Sequence, residues 1–111
     1  MRSQQVDQAI HSRLDAIAGE LRQLALWQET PPPESALSSH QPFCVDTLTF
    51  QQWVQFVLLP KMRSLLEAGQ PLPHSADIAP MAEESFRQQQ VPAVTLVRHL
   101  RELDRLITEN P

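Results

Sequence analysis

Val6, Ile10, Leu14, Ile17, Leu21 and Leu24 recur at spacings of 4, 4, 3, 4 and 3, and Gln5, Asp7, Gln8, Ser12, Asp15, Glu20 and Arg22 fall between them. An α-helix repeats a face every 3.6 residues, so this stripe predicts an amphipathic helix over residues 4–26. Gly19 inside it costs about 1 kcal/mol against Ala, and marks either a close approach of another helix or a tolerated defect. Pro31, Pro32 and Pro33 bar any continuation. A second apolar run follows Asp46, Thr47 and Thr49, each a residue type that caps helices. Thr49 with Gln52 fits a capping box, in which each side chain satisfies the other's backbone N–H. Phe50, Trp53, Val54, Phe56, Val57, Leu58 and Leu59 leave almost no polar face, so this helix, over 49–68, belongs among others at the centre of the molecule. Pro60 lacks the N–H that would bond the carbonyl of Phe56. Either the helix kinks at Leu59, or a second helix begins with Pro60 in its first turn. Gly69 and Pro71 stop the run.

Two shorter patterns complete the chain. Asp77 is placed to cap a helix over 78–88 through Met81, Ala82 and Phe86, with Pro80 tolerated in its first turn. Pro92 opens a last helix over 92–108, where Val94, Val97, Leu100, Leu103 and Ile107 form a wide apolar face with Leu96 and Leu106 beside it. The prolines and serines of residues 28–47 leave room for one helical turn at most, and a loop of that length in a small domain is often functional. QPLPHSAD, residues 70–77, is a second Pro-rich connection. The expected fold is therefore all-α: one domain, residues 1–111, a bundle of about four helices around a central Pro-kinked helix, with long Pro-rich connections.

Composition narrows what such a bundle does. The net charge is −4 and the nine basic residues are outnumbered by thirteen acidic ones. Nucleic-acid binding draws most of its affinity from Lys and Arg on phosphates, so it requires these few cations to cluster. The single cysteine rules out an intrachain disulfide and suits a reducing compartment. The N-terminus is too polar for a signal peptide, and no apolar run approaches the ~20 residues of a membrane span. A cytoplasmic location is expected. With only two glycines, Gly19 and Gly69, there is no phosphate-cradling loop.

The candidate chemistry is sparse. His11, His40, His74 and His99 do not pair at metal-site spacings, and His40 with Cys44 lies in a Pro-containing segment without a second cysteine, so no metal or cofactor is expected. Cys44 reads as a partly buried thiol. Asp46 has the chemistry of a general acid or base, but a helix-capping carboxylate explains it without a reaction. Trp27, Phe43 and Trp53 form either part of the core or an open aromatic groove for a peptide or small ligand. Gln52 or Gln55 either bonds the backbone group freed by Pro60 or faces a partner. Arg98, Arg101 and Arg105 share a helix face that Lys61 and Arg63 extend, although Glu102 and Glu109 are spaced to neutralise it.

Trp27 with the prolines after it, Pro42-Phe43, Asp46-Thr47, Trp53, Gln55-Phe56, Leu59-Pro60-Lys61-Met62 and Pro71-Leu72-Pro73 resemble the YqcC-like family of small bacterial proteins. The resemblance runs from about Val6 to Leu106 and is most specific from Pro42 to Met62. It implies an all-helical bundle of unknown biochemical role, linked by name to tRNA pseudouridine synthase C, and supplies no catalytic residues. It does not imply synthase activity, which needs a mixed α/β domain with a nucleophilic Asp. The expected function is a non-catalytic accessory protein that binds a protein partner, such as an RNA-modifying enzyme, through Trp27, Pro42, Phe43, Asp46, Thr47, Gln52, Trp53 and Gln55. The alternatives are a direct tRNA-binding accessory using Lys61, Arg63, Arg98, Arg101 and Arg105, and a small enzyme built on Asp46. A homodimer is compatible with the sequence.

Overall fold

The first stripe folds into α1, Gln4–Gln23, with Ser3 Oγ accepting from the Val6 N–H at its start and Ile10, Leu14, Ile17 and Leu21 fully buried along it. A computed structural model describes residues 2–73 and 76–110; His74, counted above among the histidines, lies outside them. After α1 come α2 (Glu34–Leu37), a 3-10 turn (Pro42–Cys44), α3 (Phe50–Trp53), a π-helical segment (Val54–Leu58), α4 (Leu59–Glu67), α5 (Ile78–Gln89) and α6 (Val94–Glu109). There is no strand among the described residues. α1 ends three residues before the stripe suggests. Ala25 turns left-handed (φ 60°), and the N–H groups of Leu26 and Trp27 both fold back onto the Leu21 carbonyl, at 2.8 and 3.2 Å. A Cβ at Gly19 would meet nothing within 4 Å, so that glycine is a tolerated defect and not a close approach.

The capping box is present. Thr49 Oγ1 accepts from the Gln52 N–H (3.2 Å), and Gln52 Oε1 accepts from the Thr49 N–H (2.9 Å). From Phe50 the chain stays helical through Glu67, and Trp53, Val54, Leu58 and Leu59 all keep right-handed helical angles. Of the two outcomes foreseen for Pro60, the second is observed: α4 begins at Leu59 with the proline in its first turn, and no break separates it from α3. The Leu59 N–H bonds the Val54 carbonyl, five residues back. The wider turn relieves the ring of a carbonyl directly beneath it. It also keeps the core in line. Phe50, Val54, Leu58, Met62 and Leu66 are buried at constant spacings of four, which in a regular helix drift by about 40° per step. One underwound turn takes up part of that drift.

α5 departs from expectation at its start. Asp77 does not cap it. The carboxylate of Asp104, on α6, accepts from the Ile78 N–H (3.0 Å) and the Ala79 N–H (2.8 Å) in its place. Burial pushes the Asp104 carboxyl above its ordinary range, while those two backbone bonds pull the other way. α6 opens at Val94, two residues past Pro92, and lays Leu96, Leu100, Leu103 and Ile107 along α1 and α5. Phe86 of α5 meets Phe50 edge-on at 5.7 Å and joins this layer to the helix that carries Pro60. Gly69 takes a left-handed turn (φ 64°) where α4 ends, as its position implied.

Candidate functional site

Trp53 and Val57 are only half-buried, because among the described residues no element covers that side of the helix through Pro60. Beside them opens a cleft of about 630 Å³. One wall is Trp53, Val57 and Lys61, at successive turns, and the other is Ile78, Pro80 and Met81 at the start of α5. Its lining is mostly apolar, with the Lys61 ammonium and the Asp77 carboxylate as charged groups at the mouth. Neither has an ion-pair partner among the described residues. From sequence, Val57 and Met81 read as buried helix residues and Pro80 as a first-turn proline, none of them as part of a site. Val57 and Met81 sit in apolar stripes that read equally well as core, and Pro80 is explained by the helix start alone.

Phe43 closes one end of this cleft. Its ring stands edge-on to Trp53 at 4.7 Å and 6.1 Å from Phe50. The backbone that holds it is unusual: Phe43 (φ 57°) and Cys44 (φ 49°) are consecutive left-handed residues, neither a glycine. Such positions cost of order 1–3 kcal/mol each and persist only where their surroundings hold them. The Leu48 N–H and Thr47 N–H bond the Cys44 carbonyl, at 2.8 and 3.0 Å, and Cys44 itself is buried. Thr47 Oγ1 donates to the Ala36 carbonyl at 2.6 Å, which ties α2 to this turn. Asp46 is exposed and accepts from the Ser39 hydroxyl, so it braces the loop and does not cap a helix; Thr49 alone does that. Pro42 is exposed at the first position of the 3-10 turn.

Trp27 is not part of this cleft. It lines a second one, of about 540 Å³, on the side of the helix that faces α1, together with Asp15, Arg22, Gln55 and Arg63. The expected single groove of Trp27, Phe43 and Trp53 is thereby corrected: Phe43 and Trp53 come together, and Trp27 packs apart from them. The Arg22 guanidinium lies 4.0 Å from the centre of the Trp27 ring. Gln55, on the wall of this second cleft, is only 7% exposed. Its Oε1 accepts from the Gln28 N–H (2.9 Å) and its Nε2 donates to the Gln28 carbonyl (2.7 Å). Gln52 Nε2 reaches the Gln28 side chain at 3.2 Å. These glutamines fasten the loop after α1, and the group freed by Pro60 is not their partner.

The five candidate cations do not form one stripe. Arg63 pairs with Asp15 of α1 at 2.9 Å, Arg101 pairs with Glu83 of α5, and Arg105 pairs with Glu102 and Glu109. The bond to Arg105 holds the Glu102 carboxyl below its usual range. Lys61 stands at the apolar cleft and has no ion-pair partner among the described residues. Arg98 is exposed without an acidic partner among the described residues. Elsewhere on α6, Arg13 of α1 donates to His99 Nδ1 at 2.7 Å. Arginine has no acceptor, so Nδ1 is the accepting nitrogen in this bond, and burial first, then Arg13, lowers the pKa of the imidazole. No group of three or more metal-ligating side chains occurs among the described residues. No helix among them is long and apolar enough to cross a membrane.

Comparison with known proteins agrees with this architecture. The solution NMR structure of YqcC from Escherichia coli aligns with a TM-score of 0.83 at 29% sequence identity, covering 96% of this chain and 91% of that one. The uncharacterised Escherichia coli protein YqcC is 31% identical over 101 residues, 91% of this chain and 93% of that protein. An uncharacterised protein of Haemophilus influenzae is 39% identical over 75 residues, 68% of this chain and 71% of that protein. A tRNA pseudouridine synthase C of Pectobacterium carotovorum is 39% identical over 66 residues, which are 60% of this chain but 18% of that protein. Residues 9–106 match the family model described as DUF446, tRNA pseudouridine synthase C, and the chain belongs to that family of YqcC-like proteins.

Proposed function

We propose that this protein is a non-catalytic accessory module that docks onto an RNA-modifying enzyme of the tRNA pseudouridine synthase C kind. The observation that carries the reading is the open apolar cleft of about 630 Å³ beside Trp53, Val57 and Met81. Its size and lining are those of a recognition site, and the few charges at its mouth suit orientation better than chemistry. The choice of partner is supported by the Pectobacterium protein, in which a segment similar to this chain makes up less than a fifth of a longer polypeptide with that name. A covalent tether gives two modules a high effective concentration. An apolar cleft is the kind of surface through which such a module holds its enzyme, whether or not a tether joins them. The RNA-binding reading has less support, since Arg63, Arg101 and Arg105 are engaged by carboxylates. The reading of Asp46 as a catalytic group has less as well, since its carboxylate is occupied by Ser39.

The test is titration calorimetry of the purified chain against purified tRNA pseudouridine synthase C from the same organism. A one-to-one complex is expected, weakened about tenfold or more by Val57→Glu or Met81→Glu, as for residues at the centre of an interface. Absence of a complex at tens of micromolar, with tRNA affinity that falls steeply with salt and with Arg101→Glu, would replace this reading with the RNA-binding one.

A further inference from the structure

The apolar cleft does not stop at Phe43. Beyond that ring lies a third cleft of about 360 Å³, and Phe43 and Met81 line both. On one wall the lining residues are Phe50, Trp53, Val57 and Lys61; on the other they are Ile78, Met81, Ser85 and Gln88. Each set follows helical spacing, so the two walls are single stripes on neighbouring helices, and the clefts lie end to end between them. At 1.5 Å per residue, twelve residues of α5 make a trough about 18 Å long. At the far end Gln51 and Gln89 exchange hydrogen bonds (2.9 and 3.1 Å) that clasp the two helices together.

We infer that the two clefts are one groove plugged by Phe43, and that the groove takes an amphipathic helix of a protein partner whose apolar stripe is flanked by Lys or Arg. This rests on the accessory reading given above and specifies the segment that docks. The walls offer side chains and no free backbone edge. An extended peptide would leave its own N–H and C=O groups unsatisfied against apolar surface, whereas a helix satisfies them internally. The length suits about three turns. The charge follows from the edges: Asp77 borders the groove just before α5 with no ion-pair partner among the described residues, Asp46 lies in the loop that carries the plug, Glu84 on α5 is paired with Arg87, and Lys61 is the sole cation among the described lining residues. A second copy of this chain, itself at −4, would bring the same acidic edge against this one. Phe43 already fills the middle of the groove with an aromatic ring, where an anchor residue of the incoming helix would insert. Its left-handed backbone is held in part by the packing of the ring on Trp53, so displacing the ring removes one of the contacts that sustain it.

Two measurements test this apart from the identity of the enzyme. In the first, the full chain is titrated with a designed 14-residue helix carrying Leu at i, i+3, i+4 and i+7 and Lys elsewhere, and with the same helix carrying Glu, followed by amide chemical shifts. The Lys helix should perturb Phe43, Trp53, Val57 and Met81 and bind about tenfold more tightly than the Glu helix, and Phe43→Ala should tighten it several-fold. Shifts confined to the Trp27 cleft, equal affinity for both helices, loss of affinity in Phe43→Ala, or concentration-dependent shifts of the groove without peptide would each overturn the proposal. In the second, Met81→Glu and Trp27→Ala are compared for binding to the synthase. Loss with Met81→Glu alone supports the groove, and loss with Trp27→Ala alone overturns it while leaving the accessory reading intact. If the synthase is not bound at all, the accessory reading fails and the first measurement still decides the groove.

Discussion

Single side chains hold this structure at places that a pattern of apolar residues does not reveal. Gln55 is buried with both ends of its amide spent on the backbone of Gln28. Gln55→Leu keeps the volume but strands that N–H and C=O, and should cost about 1–3 kcal/mol, measured by urea denaturation, with faster hydrogen exchange at the Gln28 amide. Asp104 caps α5 from a distance, so Asp104→Ala should cost about 1 kcal/mol. Its pH dependence has a definite sign. Because burial raises the native pKa, the native state binds more protons than the unfolded chain between the ordinary value of 3.8 and the raised one. The Asp104 contribution to stability therefore falls as pH rises through that window, and Asp104→Asn should remove this slope.

At the scale of elements, the helix from Phe50 to Glu67 shows how packing overrides a local breaker. Residues buried at every fourth position need an underwound turn to stay on one side, and the proline falls where that turn has opened the helix. On this account the core stripe sets the wide turn and the ring merely tolerates it. Pro60→Ala should then keep the π-helical segment, with unchanged amide shifts at Trp53 and Gln55 and a stability change within about 1 kcal/mol. A variant that rewinds to a regular helix would show large shifts there, because every residue upstream would rotate relative to α4. The Pro-rich loop of residues 28–47 was legible as irregular. Its left-handed Phe43 and Cys44 were not, since nothing local favours that conformation in either residue; the hydrogen bonds to the Cys44 carbonyl and the packing of Phe43 on Trp53 impose it.

For the whole molecule, the seam between α1 and α6 joins the first and last helices and holds one titratable contact. Leu14 and Leu100 are fully buried there, and Leu100→Ala should cost about 2–5 kcal/mol, against little change for Val94→Ala at an exposed position. Burial first, then Arg13, lowers the His99 pKa, with Arg98 adding to the effect and Glu20 opposing it. A lowered native pKa means that the unfolded chain takes up the proton first. Stability should therefore decline as pH drops below the ordinary value of 6.5, and His99→Gln should flatten thermal melts between pH 7 and pH 5.

The order of the four long helical segments, their main buried faces and the capping box at Thr49 were determined by the sequence alone. Periodicity and capping act between residues three or four apart, and no distant partner is needed to express them. What tertiary structure decided was which apolar residues stay uncovered. Trp53, Val57 and Met81 belong to stripes that read as core, yet they line a cleft because no element among the described residues spans that side. Trp27, which looks like their companion in the chain, is carried to the opposite side by the left-handed turn at Ala25 and pinned there through Gln55 and Arg22. Hydrophobic spacing states that a side chain seeks cover. Whether cover comes from its own chain depends on how many helices there are to pack and on where the connections let them lie.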